Sequence, residues 1–202
     1  MRLLFPNLGN RGNAILEFAI CLPVLVVALL TVITGGLWFD RYMSVLQLGR
    51  NGAAMFSRGM DFSQDANKDL LLLAAADLGI TKTSGDGVVY LSRLVQAPPG
   101  SGNDGNLVVA ERFVIGDTSY KSSVIATPVG SIWPNPDFPL PNGDVKDYQD
   151  EASAVATAPS TLATLPLGES MYVTEVYHSA VDLNFGLPVL GKAATLASVI
   201  YY

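Results

Sequence analysis

The pattern of hydrophobic positions divides the chain into one long apolar stretch near its beginning and short alternating segments after it. Residues 18–39 include no charged side chain. A helix of that length reaches roughly 33 Å, which is enough to cross a hydrocarbon layer of about 30 Å. The stretch therefore predicts a membrane-spanning helix.

The helical pattern continues beyond the apolar stretch. Apolar and small residues recur at three- and four-residue steps between residues 40 and 60, at Tyr42, Val45, Leu46, Gly49, Ala53 and Phe56. Small side chains such as Gly49 and Gly52 permit close helix approach. We expect one helix from residue 13 to about residue 59, kinked at Pro23 and capped near Gly59.

The rest of the chain predicts an α+β fold, in which a long N-terminal transmembrane helix precedes a mainly antiparallel β-sheet domain with a short helix. The predicted divisions are a cytoplasmic leader (1–12), a transmembrane and assembly helix (13–60) and an extracytoplasmic domain (61–202). The predicted elements are a loop at 61–68, a short helix at 69–79, and strands at 88–96, 107–115, 120–126, 171–183 and 193–202.

Three connecting segments have compositions or motifs that could indicate a binding site. Residues 100–105 match G-x-G-x-x-G, but a strand rather than a helix is expected to follow, which favours a hairpin loop over a dinucleotide site. Residues 127–141 hold five prolines and predict an extended loop. The acidic segment 144–151 is typical of a solvated loop. A calcium site there is an alternative, although EF-hand spacing is lacking.

A carboxylate lies directly before the apolar stretch. Glu17 is costly at a membrane edge unless it has a partner. Four residues separate it from Gly12, and Phe18 follows it. This spacing resembles the processing site of type IV prepilins. With the continuation to Pro23, the segment resembles the TadE/TadG-like family of minor pilins, or pseudopilins, from tight-adherence (Flp) pili.

The resemblance implies specific roles. A prepilin peptidase would cut between Gly12 and Asn13, and Glu17, Phe18 and Pro23 would act in assembly. The implied partners are other pilins or pseudopilins, the inner-membrane assembly platform and membrane lipid. The implied function is pilus assembly, surface adhesion or biofilm formation by a single-pass protein of the bacterial inner membrane.

Other interpretations account for the apolar stretch alone. It could be a cleaved secretory signal, an uncleaved single-span anchor or a buried helix of a soluble protein. Only the prepilin interpretation explains Gly12, Glu17 and Phe18 together. Arg2 and Arg11 favour a cytoplasmic N-terminus and therefore a domain outside the inner membrane.

Composition narrows the function further. The net charge is −6, which argues against nucleic acid as a partner because phosphate binding needs clustered basic residues. The only cysteine, Cys21, excludes an intramolecular disulfide and a cysteine-based zinc site.

No motif of an enzyme stands out, and we expect neither catalysis nor a cofactor. His178 is the only histidine and lies in a predicted strand, where a structural role is expected. Glu111 and Glu175 are expected to pair with Arg93 and Arg112 across a sheet. Two alternatives from other classes remain. One is a membrane-tethered periplasmic binding module that uses residues 127–141, and the other is a membrane-anchored enzyme that uses His178.

Overall fold

The computed structural model describes residues 10–125, 143–145, 147–157, 165–179 and 195–201. The predicted proline-rich loop at 127–141 lies outside the described residues, as does the predicted end of the strand at 180–183. The chain forms two compact units, Met1–Asp40 and Arg41–Tyr202.

One helix, α1, runs from Asn10 to Ser57 and confirms the long helix expected from the sequence. It continues through Pro23. Its end is a Schellman cap: Gly59 has φ +79° and donates to the Phe56 carbonyl, while the Met60 amide donates to the Met55 carbonyl. The predicted capping role of Gly59 is confirmed.

The short helix begins earlier than the sequence analysis placed it. Helix α2 spans Asp65–Leu73, so the predicted loop at 61–68 is wrong in its second half. Asp65 in the first turn suits the helix dipole, and the Asp61 carboxylate accepts hydrogen bonds from Ser63 and Gln64 just before the helix. A 3-10 turn at Ala76–Leu78 follows, and Gly79 ends it in a left-handed conformation.

Among the residues that the structure describes, four antiparallel strands form one sheet, which confirms the predicted α+β class. The strand order is β2-β1-β3-β4, with a register irregularity between Arg93 and Leu94 in the first hairpin. Residues 97–106 connect β1 to β2, which confirms the hairpin loop. The strands are β1 (Gly87–Gln96), β2 (Leu107–Gly116), β3 (Ser170–Ser179) and β4 (Thr195–Tyr201).

The predicted strand at 120–126 is wrong for the part that the structure describes. Residues 120–125 belong to no strand. They are held by side chains that project from the sheet, and of these six residues only Ser123 and Ile125 are buried.

The second half of α1 forms part of the core of the second unit. Val45, Leu48 and Phe56 are buried in one cluster with α2 and the sheet. The Phe56 ring makes edge-to-face contacts with three other rings, at centroid distances of 5.1–6.1 Å. The three partner rings are Phe62, Phe113 and Tyr172.

Two glycines set how closely α1 approaches the sheet. A Cβ added at Gly49 would lie 3.0 Å from the Ile200 side chain, and one at Gly52 would lie 3.1 Å from Leu91 and Thr174. Both distances are tighter than ordinary van der Waals contact. The close approach predicted from these small residues is therefore made to the sheet.

The helix packing has a consequence for the folding unit. The predicted divisions 1–12, 13–60 and 61–202 stay predictions, but a fragment of residues 61–202 lacks Val45, Leu48 and Phe56. Each of these side chains contributes about 1.5–3 kcal/mol on burial. We therefore expect residues 41–202 to unfold at a clearly higher urea midpoint than residues 61–202, as followed by near-ultraviolet circular dichroism. Equal midpoints would show that the helix only lies on a domain that folds without it.

Candidate functional site

The residues singled out from the sequence lie on the first part of α1. Gly12 and Asn13 fall in its first turn. Glu17 is exposed, and Phe18 is 62% exposed. Pro23 lies inside the helix two turns further on. Glu17 therefore stands next to an exposed aromatic ring at the start of the apolar segment.

The helix surface that follows is apolar on every side. Large hydrophobic side chains from Ile15 to Phe39 are exposed all along it. Thr31 and Thr34 turn their hydroxyls inward and donate to the carbonyls of Val27 and Leu30, at 2.8 and 2.7 Å. Such back-bonding satisfies a hydroxyl where no water is available. By length and composition this is a candidate membrane span.

The second unit holds a fully buried ion pair on the sheet. Arg112 of β2 and Glu175 of β3 both have no exposed side-chain surface, and their closest charged atoms are 3.9 Å apart. Ser123 joins them: its hydroxyl accepts from Arg112 at 3.0 Å and donates to Glu175. Arg112 Nε also donates to Ser92 at 2.8 Å.

Glu175 fixes the segment that follows β2. One of its oxygens accepts from the Val124 amide and from the Tyr177 hydroxyl, both at 2.8 Å. The Tyr90 hydroxyl donates to the Lys121 carbonyl at 2.6 Å. Residues 120–125 are therefore attached to the sheet by side chains instead of by strand pairing.

Burial shifts the pKa values of this network. It lowers the pKa of Arg112 to about 10, against the opposing effect of Glu175, so the guanidinium is charged at neutral pH. Burial also raises the pKa of Tyr90 to about 12 and that of Tyr177 well above its usual range. Both phenols therefore stay neutral, as hydrogen-bond donors to a carboxylate and a carbonyl must.

The other predicted pair and the histidine have structural positions. Arg93 Nε lies 2.9 Å from a Glu111 carboxylate oxygen, across β1 and β2, and both side chains are partly exposed. His178 is fully buried, and its Nε2 donates to the Leu78 carbonyl at 2.8 Å. Both ion pairs and the structural role of the histidine agree with the sequence analysis.

Acidic residues near the first hairpin bind backbone groups. Asp150 accepts from the Gly102 amide at 2.6 Å, and Glu151 accepts from the Ser153 amide at 3.1 Å. Hydrogen bonding to Ser153 lowers the pKa of Glu151. Within the described parts of the chain, no three His, Cys, Asp or Glu residues are placed to share a metal ion.

These features define a class: a protein with a helix apolar enough to anchor it in a membrane and a β-sheet domain that packs on the end of that helix. Residues 12–54 match the model of the family described as TadE-like protein. The resemblance to the TadE/TadG-like family of tight-adherence pili is thereby confirmed over this segment. Neither a curated protein nor a solved structure matches the chain.

Sequence reasoning found both arginine–glutamate pairs but missed the hydroxyl groups that support the buried pair. The roles predicted for the N-terminal residues stay predictions. Ser92, Ser123 and Tyr177 complete the shell of the buried pair. The buried pair could be predicted because Arg112 and Glu175 are charged residues at inward-facing positions of their strands. Hydroxyls contributed from distant segments give no comparable signal, since their partners are set by the fold.

The two ion pairs allow a matched test of burial. Replacing Arg112 by Met leaves Glu175 as a buried, uncompensated charge, so we expect a loss of about 3–5 kcal/mol in the free energy of unfolding. Replacing Arg93 by Met breaks a partly exposed pair and should cost about 1 kcal/mol or less. Urea unfolding of both variants measures the difference. Similar losses of unfolding free energy in the two variants would show that another group compensates the charge of Glu175.

Proposed function

We propose that this chain is a minor pilin or pseudopilin subunit of a tight-adherence pilus, anchored in the inner membrane by α1. The observation that supports it most is the match of residues 12–54 to the TadE-like family, on a helix whose apolar surface is exposed. The uncharged segment after Glu17 suits lipid or the apolar helices of other subunits.

Cleavage after Gly12 by a prepilin peptidase is the first step of this function. It leaves a free amine on Asn13, four residues before Glu17. The bond lies in the first turn of α1, where helices fray, so the peptidase needs to unwind only one turn. Arg2 and Arg11 keep this end on the cytoplasmic side, and the sheet domain lies in the periplasm.

Assembly then gives Glu17 its partner. In a low dielectric an unpaired carboxylate is strongly disfavoured, and pairing with a cation offsets much of that cost. The Asn13 amine of a neighbouring subunit, displaced along the bundle, supplies that cation. The pair sets the axial register, and the apolar side chains beside Glu17, including Phe18, supply the packing.

The proposed partners are the prepilin peptidase, other pilins, the inner-membrane assembly platform and membrane lipid, with no role for nucleic acid. A catalytic role is not part of the proposal. The charged groups described on the sheet support this, because Arg112 and Glu175 are buried in a structural network and Arg93 binds Glu111. The competing function is an uncleaved, membrane-tethered periplasmic binding module.

Processing is tested at the glycine before the cut. Replacing Gly12 by Val should leave an uncut precursor, since a bulky side chain blocks the peptidase, while the parent should begin at Asn13. N-terminal sequencing and intact mass measure both. Gly35→Val is the matched control, because the space around Gly35 is open and cleavage should proceed. A parent chain that retains Met1 would contradict processing and favour the tethered module.

Charge pairing is tested at Glu17. Replacing Glu17 by Gln preserves the shape and removes the charge, so the subunit should be processed, inserted and folded but fail to co-assemble. Co-purification with other pilus subunits and a count of surface fibres measure the loss. Asp40→Asn removes a carboxylate from the same helix outside the uncharged segment and should assemble normally. Full assembly by Glu17→Gln would rule out charge pairing.

A further inference from the structure

The outward face of α1 in the second unit is positively charged. Residues 41–60 include three arginines and no acidic residue. Arg50 and Arg58 are exposed, and neither makes an ion pair with any residue that the structure describes. Further exposed residues recur on the same side of the helix at three- and four-residue steps, namely Met43, Gln47 and Asn51. This face therefore carries two cations that the described part of the domain does not neutralise.

Helix α2 has an exposed face of apolar and acidic residues. Leu70 is 53% exposed and Leu73 is 75% exposed. Asp65 and Asp69 lie next to them on the exposed side of the helix. Lys82 binds one carboxylate oxygen of Asp69 at 2.9 Å, but the Asp69 side chain remains 61% exposed. Exposed apolar side chains grouped on one helix face indicate a contact surface.

Two contacts fix the level of α2 along α1. The Phe62 ring, just before α2, lies 6.1 Å from the Phe56 ring between centroids. Asp77, after the end of α2, accepts a hydrogen bond from the Ser44 hydroxyl at 2.8 Å. Between residues 44 and 56 the axis of α1 rises about 18 Å. Helix α2 therefore lies beside the part of α1 between these two residues.

The cations of α1 and the carboxylates near α2 consequently lie at matching levels. Arg50 is in the middle of the stretch between residues 44 and 56, and Asp69 is in the middle of α2. Arg58 directly follows α1, and Asp61 directly precedes Phe62, so both lie near the level of residue 56. A second copy beside the first, with its α1 parallel, can place each arginine opposite a carboxylate without an axial shift.

We propose that copies of this chain associate side by side in the membrane, with the outward face of α1 in one copy on the exposed face of α2 in the next. Both complementary faces belong to this one chain, which favours a second copy over a different partner. All copies keep the same direction of α1, as copies inserted in one membrane in one orientation do. The inference rests on the membrane anchoring of the proposed function, but on neither cleavage nor Glu17.

The contact is heterologous, because two different faces meet. Each associated pair therefore has one free α1 face and one free α2 face, at which further copies can be added. Repeated addition gives a ring or an open filament, depending on the rotation between neighbours. The proposed contact is thus compatible with a subunit that assembles into a fibre.

Apolar contact and charge contribute differently to this interface. Burial of Leu70 and Leu73 against Met43 supplies attraction, since exposed ion pairs alone contribute little. The charges select the face. An approach that placed α1 on α1 would bring Arg50 and Arg58 of both copies together, and like charges would oppose it. Anchoring in one membrane raises the effective concentration, so even a small interface can form.

Cross-linking between singly labelled copies tests which faces meet. The full chain with Cys21→Ser as background is reconstituted in lipid vesicles. Asn51→Cys, on the outward face of α1, and Ala66→Cys, on the exposed face of α2, should cross-link through a short bismaleimide when the two variants are mixed. Ala66→Cys alone should not, because α2 does not meet α2. Asn106→Cys, in the exposed hairpin loop, is the control and should not cross-link to Asn51→Cys.

Charge reversal tests the pairing of the two faces. Arg50→Glu and Asp69→Lys should each weaken self-association roughly fivefold or more, because like charges then meet across the contact. An equal mixture of the two variants should associate as the parent does, since residues 50 and 69 again carry opposite charges in every mixed contact. Asp104→Lys makes the same change of charge in the hairpin loop and should behave as the parent. Fluorescence energy transfer between labelled copies in vesicles measures all of them.

Two controls separate this contact from misfolding and from the proposed pilus function. Near-ultraviolet circular dichroism of the charge variants should match that of the parent, because both side chains are exposed. Glu17→Gln should self-associate in vesicles as the parent does, although it should fail in pilus assembly. A chain that does not insert into the vesicles would contradict the membrane anchor itself.

Three results would overturn the proposed association. The first is a parent chain that inserts but stays monomeric, which would leave the leucines of α2 to lipid. The second is a mixture of Arg50→Glu and Asp69→Lys that associates no better than either variant alone. The third is cross-linking of Asn51→Cys to Asn106→Cys as strong as that to Ala66→Cys.

Discussion

The structure of the second unit depends on the close approach of α1 to the sheet at Gly49 and Gly52. A Cβ at Gly49 would lie 3.0 Å from Ile200, and one at Gly52 would lie 3.1 Å from Leu91 and Thr174, so these side chains would have to shift to keep the helix at its present distance. At that distance the larger apolar residues on the same helix face reach the core. The helix is thus bound to its domain by shape, and its apolar groups add free energy of burial to that fit.

On the sheet itself, a second interaction replaces backbone pairing. Residues 120–125 are held against the strands by Glu175 and Tyr90, with Arg112 compensating the buried carboxylate. Removing both charges together would cost much less than removing one, because a lone buried charge has no compensation. The pair therefore gives the segment a defined position more than it adds net stability.

The sequence predicted those features that have a local or periodic signal. The length of α1, its cap at Gly59, the first hairpin and the α+β class follow from hydrophobic periodicity and glycine placement. The start of α2 and the absence of a strand at 120–125 did not follow. The first depends on Asp61 hydrogen bonds made just before the helix, and the second on the carboxylate of Glu175, which lies 51 residues after Val124. Side-chain hydrogen bonds between residues far apart in the sequence leave no periodic pattern from which they could be predicted.

The extent of the family match shows which part of the chain supports the functional argument. It ends at residue 54, in the last turns of α1, so it spans both the uncharged segment and the face on which Val45, Leu48 and Gly52 pack. A segment that served only as a membrane anchor would need no sheet-packing face. The matched helix therefore meets two requirements along its length. Its first part has an exposed apolar surface, and its last turns have a face of small and apolar residues that packs on the sheet. The sheet domain from residue 55 onward lies outside the match, so the family likeness is carried by α1 alone.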